Sequence, residues 1–118
     1  ILAALSGGDL YVSPSTSDGS SVSLLEAMAS ELPCLVSDLP GNREWVRDGE
    51  QGHLLTPGDA PGLARRFTER LEDPSASRRM GQAARAVISA RADWRRNVRG
   101  LDGLYAKAMA SRPQEAAA

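Results

Sequence analysis

The chain has 118 residues, 42% of them apolar, and a formal net charge of −1. That is one domain's worth of chain or part of a larger domain, with enough apolar residues for a core and no overall charge to attract nucleic acid. No run approaches the roughly 18 apolar residues of a membrane span, no signal-peptide pattern opens the sequence, and the single cysteine, Cys34, excludes a disulfide framework and points to a reducing compartment. The expectation is a cytoplasmic protein, either free or peripheral to a membrane. The charge is unevenly spread. Residues 1–59 carry Arg43 and Arg47 against nine acidic residues, and residues 60–118 carry twelve basic residues against six acidic ones. A basic second half reads as solvated helix faces, or as a surface for an anionic partner or membrane face.

In chain order, residues 1–5 read as the last turn of a helix closed by Gly7 and Gly8. Residues 9–13 form a short apolar strand of the kind buried in parallel sheets. A polar stretch follows, then a helix over residues 22–30. In that helix Val22, Leu25 and Ala29 make one apolar row and Leu24, Ala27 and Met28 another, which leaves a narrow polar stripe of Ser23, Glu26 and Ser30. A helix so apolar is buried on most sides, and its polar stripe needs partners. For Glu26 the partner is either a ligand or the helix itself, since Ser23-x-x-Glu26 fits a capping box if the helix starts at Leu24. Residues 33–37 are the second strand, and residues 38–42 a turn in which Asn42 can cap a short helix through Val46. Residues 52–56 are the third strand. Its His53 has no ligand set at metal-site spacing and reads as structural. From Asp59 onward the pattern is helical, with Asp59, Asp73-Pro74 and Asp93 as successive starts. The apolar positions 94, 98, 101, 105 and 108 lie along one face of the last helix, so Trp94 and Tyr105 read as packing groups.

Strands alternating with helices, joined by connections too long for hairpins, predict a Rossmann-like three-layer α/β fold: a parallel sheet of three visible strands and a helical C-terminal segment. In such sheets ligands bind beyond the carboxyl ends of the strands, at the start of the next helix. Residues 13–31, SPSTSDGSSVSLLEAMASE, occupy that place after the first strand. A helix start offers free N–H groups and partial positive charge to a phosphate, and Gly19, Ser20 and Ser21 are small enough to let a ligand approach the backbone. Asp18 and Glu26 flank the turn as acceptors for hydroxyl groups. Phosphate in the middle with polyhydroxyl groups at both ends is the shape of a sugar nucleotide.

The run DGSSVSLLEAMASELPCLVSDLPGNREWVRDGEQGHLLTPGD also resembles the donor-binding half of retaining glycosyltransferases with the GT-B fold. The shared pattern is an acidic residue, small residues, Leu-Glu-Ala-Met-Ala, a strand, a Pro-Gly turn and a Gly-rich final strand. The likeness covers residues 9–59 and, more loosely, the helices to Tyr105. The family's first carboxylate is usually Glu; here it is Asp18, one methylene shorter. The resemblance implies a donor domain of about six strands, of which residues 1–110 would be the C-terminal part and residues 111–118 a disordered tail. It implies transfer of a hexose from a nucleoside diphosphate sugar to an unidentified acceptor with retention, and no metal or other cofactor. By the same resemblance Asp18 is the catalytic contact to donor-sugar hydroxyls, Glu26 holds the ribose hydroxyls, and Gly19 and the amides of Ser20, Ser21 and Val22 face the donor sugar and diphosphate. Basic residues that clamp the phosphates would lie upstream. Alternatives are a non-catalytic nucleotide-binding or assembly module, or another GT-B enzyme such as a sugar-nucleotide epimerase. A phosphorylase would need a cofactor lysine, and Lys107, the one lysine, lies in the last helix. Alone, the chain is expected to transfer no sugar and to associate with the missing N-terminal half, or with a copy of itself, through the bare edge of its first strand.

Overall fold

The structure, a computed structural model, describes residues 5–19 and 21–111. Three strands, β1 (Tyr11–Ser13), β2 (Cys34–Ser37) and β3 (Gly52–Leu55), form one parallel sheet in the order β1-β2-β3. Helix α1 (Val22–Ala29) connects β1 to β2, and the short α2 (Pro40–Arg43) lies between β2 and β3. Three longer helices follow: α3 (Ala60–Glu72), α4 (Pro74–Arg91) and α5 (Trp94–Ala110). The expected α/β architecture is observed, and each strand falls within a residue or two of its expected span.

Every residue of β2 is buried, as a central parallel strand covered on both faces must be. On one face Cys34 and Val36 join Leu24, Ala27 and Met28 of α1, Ala84 of α4, and Val46 in a single core cluster. The alternate residues, Leu35 and His53, point to the other face, where α3 brings Arg66 and Arg70. Helix α4 packs tightly on the first layer because Gly81 lets it touch the turn after α1: a Cβ there would penetrate the carbonyl of Glu31. Glu31 itself holds a left-handed conformation, with φ of 61°, the backbone state with which helices commonly end.

Helix starts follow local rules. Asp59, Asp73 and Asp93 each accept a hydrogen bond from a backbone N–H three residues on, capping α3, α4 and α5, and Pro occupies the first turn of the first two. The Ala76 N–H holds the Asp73 carboxyl below the usual range. Three expectations need correction. Asn42 does not cap a helix: Leu39 precedes α2, and Asn42 is buried inside it, donating from Nδ2 to the Ser37 carbonyl at 2.8 Å. Val22 is 68% exposed, so the Val22 row of α1 is not a buried one. Trp94 and Tyr105 are not packing groups within the described residues: they are 74% and 68% exposed, and no residue of α5 is buried.

His53 sits buried on β3, with Nδ1 3.2 Å from Asp48 Oδ1, an oxygen that also accepts from the Leu54 N–H. Its Nε2 is buried without a partner among the described residues. Loss of water around the ring lowers its pKa, and the Arg66 and Arg70 charges add to this, while Asp48 opposes it. The folded ring therefore titrates below its unfolded value of about 6.5. Its contribution to stability is complete above that value and is lost as pH falls through the folded pKa. The urea midpoint is expected to drop between pH 7.5 and 5, and His53→Asn, which keeps a donor toward Asp48, should flatten that drop. Parallel pH profiles for the two proteins would remove His53 as the cause.

Candidate functional site

At the carboxyl end of β1 the chain leaves the sheet, turns through residues 14–19 and enters α1. Ser21 is the N-cap: it is extended, its Oγ accepts from the Leu24 N–H at 3.4 Å, and its carbonyl accepts from the Leu25 N–H at 3.2 Å. The helix therefore begins at Val22, which rules out a capping box on Ser23. No acidic residue stands in the first turn of α1 to offset the positive end of its dipole. A second layer of hydroxyls supports the cap. Ser23 Oγ lies 2.9 Å from Ser21 Oγ and 2.7 Å from Tyr11 Oη, which ties the helix start to β1.

Of the residues singled out from sequence, Val22 and Glu26 lie in α1, Ser21 caps it, and Asp18 and Gly19 lie in the loop before it. Ser20 lies outside the described residues. Asp18 and Gly19 are exposed, and a Cβ on Gly19 would meet open space. The polar stripe of α1 resolves residue by residue. Ser23 bonds to Ser21 and Tyr11, and Ser30 Oγ donates to the Glu26 carbonyl at 2.9 Å. The half-buried Glu26 carboxylate has no partner among the described residues.

Beside this loop, at the carboxyl ends of all three strands, is a cavity of about 250 Å³ lined by Pro14, Thr16, Ser37, Thr56, Asp59 and Leu63 among others. Asp18, Gly19, Ser21, Val22 and Glu26 do not line it. Sequence reasoning missed this cavity because its walls come from three separate loops. It also missed the ion pair after β2, in which Arg43 Nε and Nη2 donate to Asp38 at 2.5 and 3.0 Å and hold its carboxyl below the usual range. A larger cavity of about 420 Å³, bordered by Asp9, Pro33, Arg70 and Arg78, opens at the amino ends of the strands. That is the wrong end for ligand binding in an open parallel sheet. Among the described residues no three His, Cys, Asp or Glu side chains are placed to hold a metal ion, and no helix is long and apolar enough to cross a membrane.

A parallel sheet with an open polar loop and a helix start beyond its strands has the architecture of the open α/β proteins, whose ligand sites lie at that edge. Comparison with known proteins makes the class specific. The family model described as glycosyl transferases group 1 matches residues 1–87, and the chain belongs to that family. It is similar to a phosphatidyl-myo-inositol mannosyltransferase of Mycobacterium leprae, with 38% identity over 93 residues, covering 78% of this chain and 25% of that protein. In structure it is similar to sucrose-phosphate synthase from Thermosynechococcus elongatus, with a TM-score of 0.88 at 28% identity over 92% of this chain and 27% of that one. It is also similar to Anabaena HepE in complex with UDP-glucose, with a TM-score of 0.78 at 26% identity over 92% of this chain and 29% of that one. These neighbours have the GT-B fold expected from the motif. The chain spans 18–27% of the length of these and other curated relatives that it matches.

Proposed function

We propose that this chain is the second half of the donor domain of a retaining glycosyltransferase, and that the loop before α1 binds a nucleoside diphosphate hexose. The observation that carries the reading is the state of α1. It begins at Val22 with exposed surroundings and no acidic residue in its first turn, and one turn further in it presents a half-buried carboxylate, Glu26, with no partner among the described residues. Anion at the helix start and hydroxyls at the carboxylate are the two halves of a nucleotide sugar. The similarity to HepE, whose structure is a complex with UDP-glucose, supports the ligand class.

In this reading the amides of Ser20, Ser21 and Val22 face the diphosphate and donor sugar, Gly19 leaves room for them, and Glu26 accepts from the ribose hydroxyls. The leaving diphosphate gains negative charge as the glycosidic bond breaks. Fixed N–H donors and the positive end of α1 stabilise that charge without reorganising, with no metal in the scheme. Asp18 accepts from donor-sugar hydroxyls. The acceptor side of the cleft and the cationic phosphate clamps belong to parts of the protein outside this chain. The charge gained by the leaving group makes its oxygen basic enough to take the acceptor's proton, so no separate general base is assigned.

Calorimetric titration of the intact protein with UDP-glucose, and with diphosphate sugars of other bases, should give saturable binding that free hexose does not compete away. Absence of binding to all of them would sink the reading. Asp18 supplies a finer test. Its short side chain is expected to reach the sugar directly or through one water, so Asp18→Glu should retain transfer activity. Asp18→Ala should lose about tenfold or more, the value of a hydrogen bond to a charged group. Full activity in the alanine variant would remove Asp18 from the site.

A further inference from the structure

Aspartate is followed by glycine at three places in the sequence: Asp18-Gly19, Asp48-Gly49 and Asp102-Gly103. This dipeptide is prone to a rearrangement that needs no enzyme. The backbone nitrogen after the aspartate attacks the side-chain carboxyl carbon, and glycine, with no Cβ in the way, allows the approach. The three pairs are alike in sequence, but the fold treats them differently. Asp48 Oδ1 accepts from the Leu54 N–H at 3.0 Å and lies 3.2 Å from His53 Nδ1, while the Gly49 N–H donates to the Gly52 carbonyl at 2.8 Å. Carboxylate and nitrogen are each held by another group. Asp102 and Gly103 lie inside α5, where the helical backbone fixes both residues and engages its N–H groups along the helix. Asp18 and Gly19 are exposed in the loop before α1, and neither the Asp18 carboxylate nor the Gly19 N–H has a partner among the described residues.

We propose that Asp18-Gly19 is the site at which this chain converts aspartate to isoaspartate, and that the change disables the donor loop. The Gly19 nitrogen bonds to Asp18 Cγ, and the carboxyl hydroxyl leaves as water with the amide proton, which closes a succinimide ring. Water then adds at one of the two ring carbonyls. Opening at Cγ restores aspartate. Opening at the Asp18 backbone carbonyl leaves the chain running through the former side chain, one methylene longer, with a carboxylate directly on Cα. The water lost in the first step returns in the second, so no oxidant or cofactor takes part. The site of the change stands on exposure and hydrogen bonding alone, whereas its effect on binding rests on the donor-site reading above. In that reading Asp18 accepts from sugar hydroxyls, and Gly19 to Val22 face the sugar and diphosphate. A carboxylate drawn back to Cα and an extra backbone carbon before Gly19 displace both sets of contacts. A bound nucleotide sugar in turn holds Asp18 and Gly19 in place and slows the ring closure.

The test is to age the intact protein in heavy-oxygen water, folded and in urea, with and without UDP-, GDP- or ADP-glucose, and to map isoaspartate and label by peptide. Heavy oxygen marks each passage through the ring, whichever carbonyl opens. In urea the three pairs should react at similar rates, which sets the intrinsic scale. In the folded protein Asp18 should stay within about threefold of that scale, while Asp48 and Asp102, which react only through local opening, fall about tenfold or more behind it. Gly19→Ala, whose Cβ meets nothing within 4 Å, should slow the reaction at position 18 alone. The isoaspartyl form, once separated, should bind the diphosphate sugar about tenfold more weakly than the unmodified protein. Asp48 or Asp102 reacting as fast as Asp18 in the folded protein overturns the site. A protein that binds one of the three sugars, yet reacts no more slowly with it and binds it equally well after modification, overturns the effect on the donor loop and leaves the modification site standing. A protein that reacts at Asp18 but binds none of the three overturns the donor-site reading, and the effect on binding with it.

Discussion

Glu26→Ala is expected to weaken binding of a nucleoside diphosphate sugar by about 10–100-fold while the melting temperature stays close to that of the wild type. A carboxylate accepting from a hydroxyl pair makes a charge-assisted contact worth about 1.5–3 kcal/mol, and each ~1.4 kcal/mol is a factor of ten in affinity. Stability should move little because Glu26 has no partner to lose among the described residues, and alanine suits a helix interior. Glu26→Gln should fall between the two, since it keeps one acceptor oxygen and loses the charge. A variant that unfolds more easily but binds normally would mean that the carboxylate serves the fold.

Gly81→Ala should destabilise the protein by about 3 kcal/mol, the upper end of what overpacking a core costs. The added Cβ would meet backbone, the Glu31 carbonyl, so no flexible side-chain end can swing aside. Relief would require α4 to lift from the turn after α1, and that separates Ala84 from Ala27 and Met28 in the same cluster. The matched control is Gly100→Ala in α5, where a Cβ meets nothing within 4 Å. There alanine should stabilise by about 0.5–1 kcal/mol through helix propensity alone. Chemical denaturation of both variants settles the matter: equal shifts in the two would mean that α4 does not seat on that turn as described.

Gly81 also marks where sequence reading ends. The alternation of strands with helices, the aspartate caps and the loop before α1 are legible because each depends on residues within a few positions of one another. Asn42 misleads because its partner, the Ser37 carbonyl, lies at the strand end behind it, and burial turns a turn-former into an internal brace. Val22 misleads because helical spacing assigns a residue to a row but does not say where the covering layer stops. Trp94 and Tyr105 mislead for the same reason: an apolar stripe tells that a helix face wants cover, not that this stretch of chain provides it. For the proposed site, Asp18, Gly19, Ser20, Ser21, Val22 and Glu26 are candidates that spacing and motif can name. The link from Tyr11 to Ser23 cannot be named so, since twelve residues and a change of element separate them. The cavity of Ser37, Thr56 and Asp59 needs three strand ends to be brought side by side.

Cys34 lies at the middle of the sheet with no exposed surface, its thiol donating to the Leu32 carbonyl, and burial pushes its pKa up to about 12. At neutral pH the thiol therefore stays protonated, whereas the thiolate is the form that oxidants and alkylating agents attack. In the folded chain the Cys34 thiol is shielded from peroxide and from electrophilic metabolites. Damage at this position can accumulate only through openings that part β2 from its neighbours. Once oxidised, a polar sulfur acid has no place in the apolar layer between β2 and α1, and reclosure is blocked. An opening in which the thiol is oxidised beyond the sulfenic acid then becomes a one-way exit from the native population, so the lifetime of the intact Cys34 is set by how often the central strand comes free.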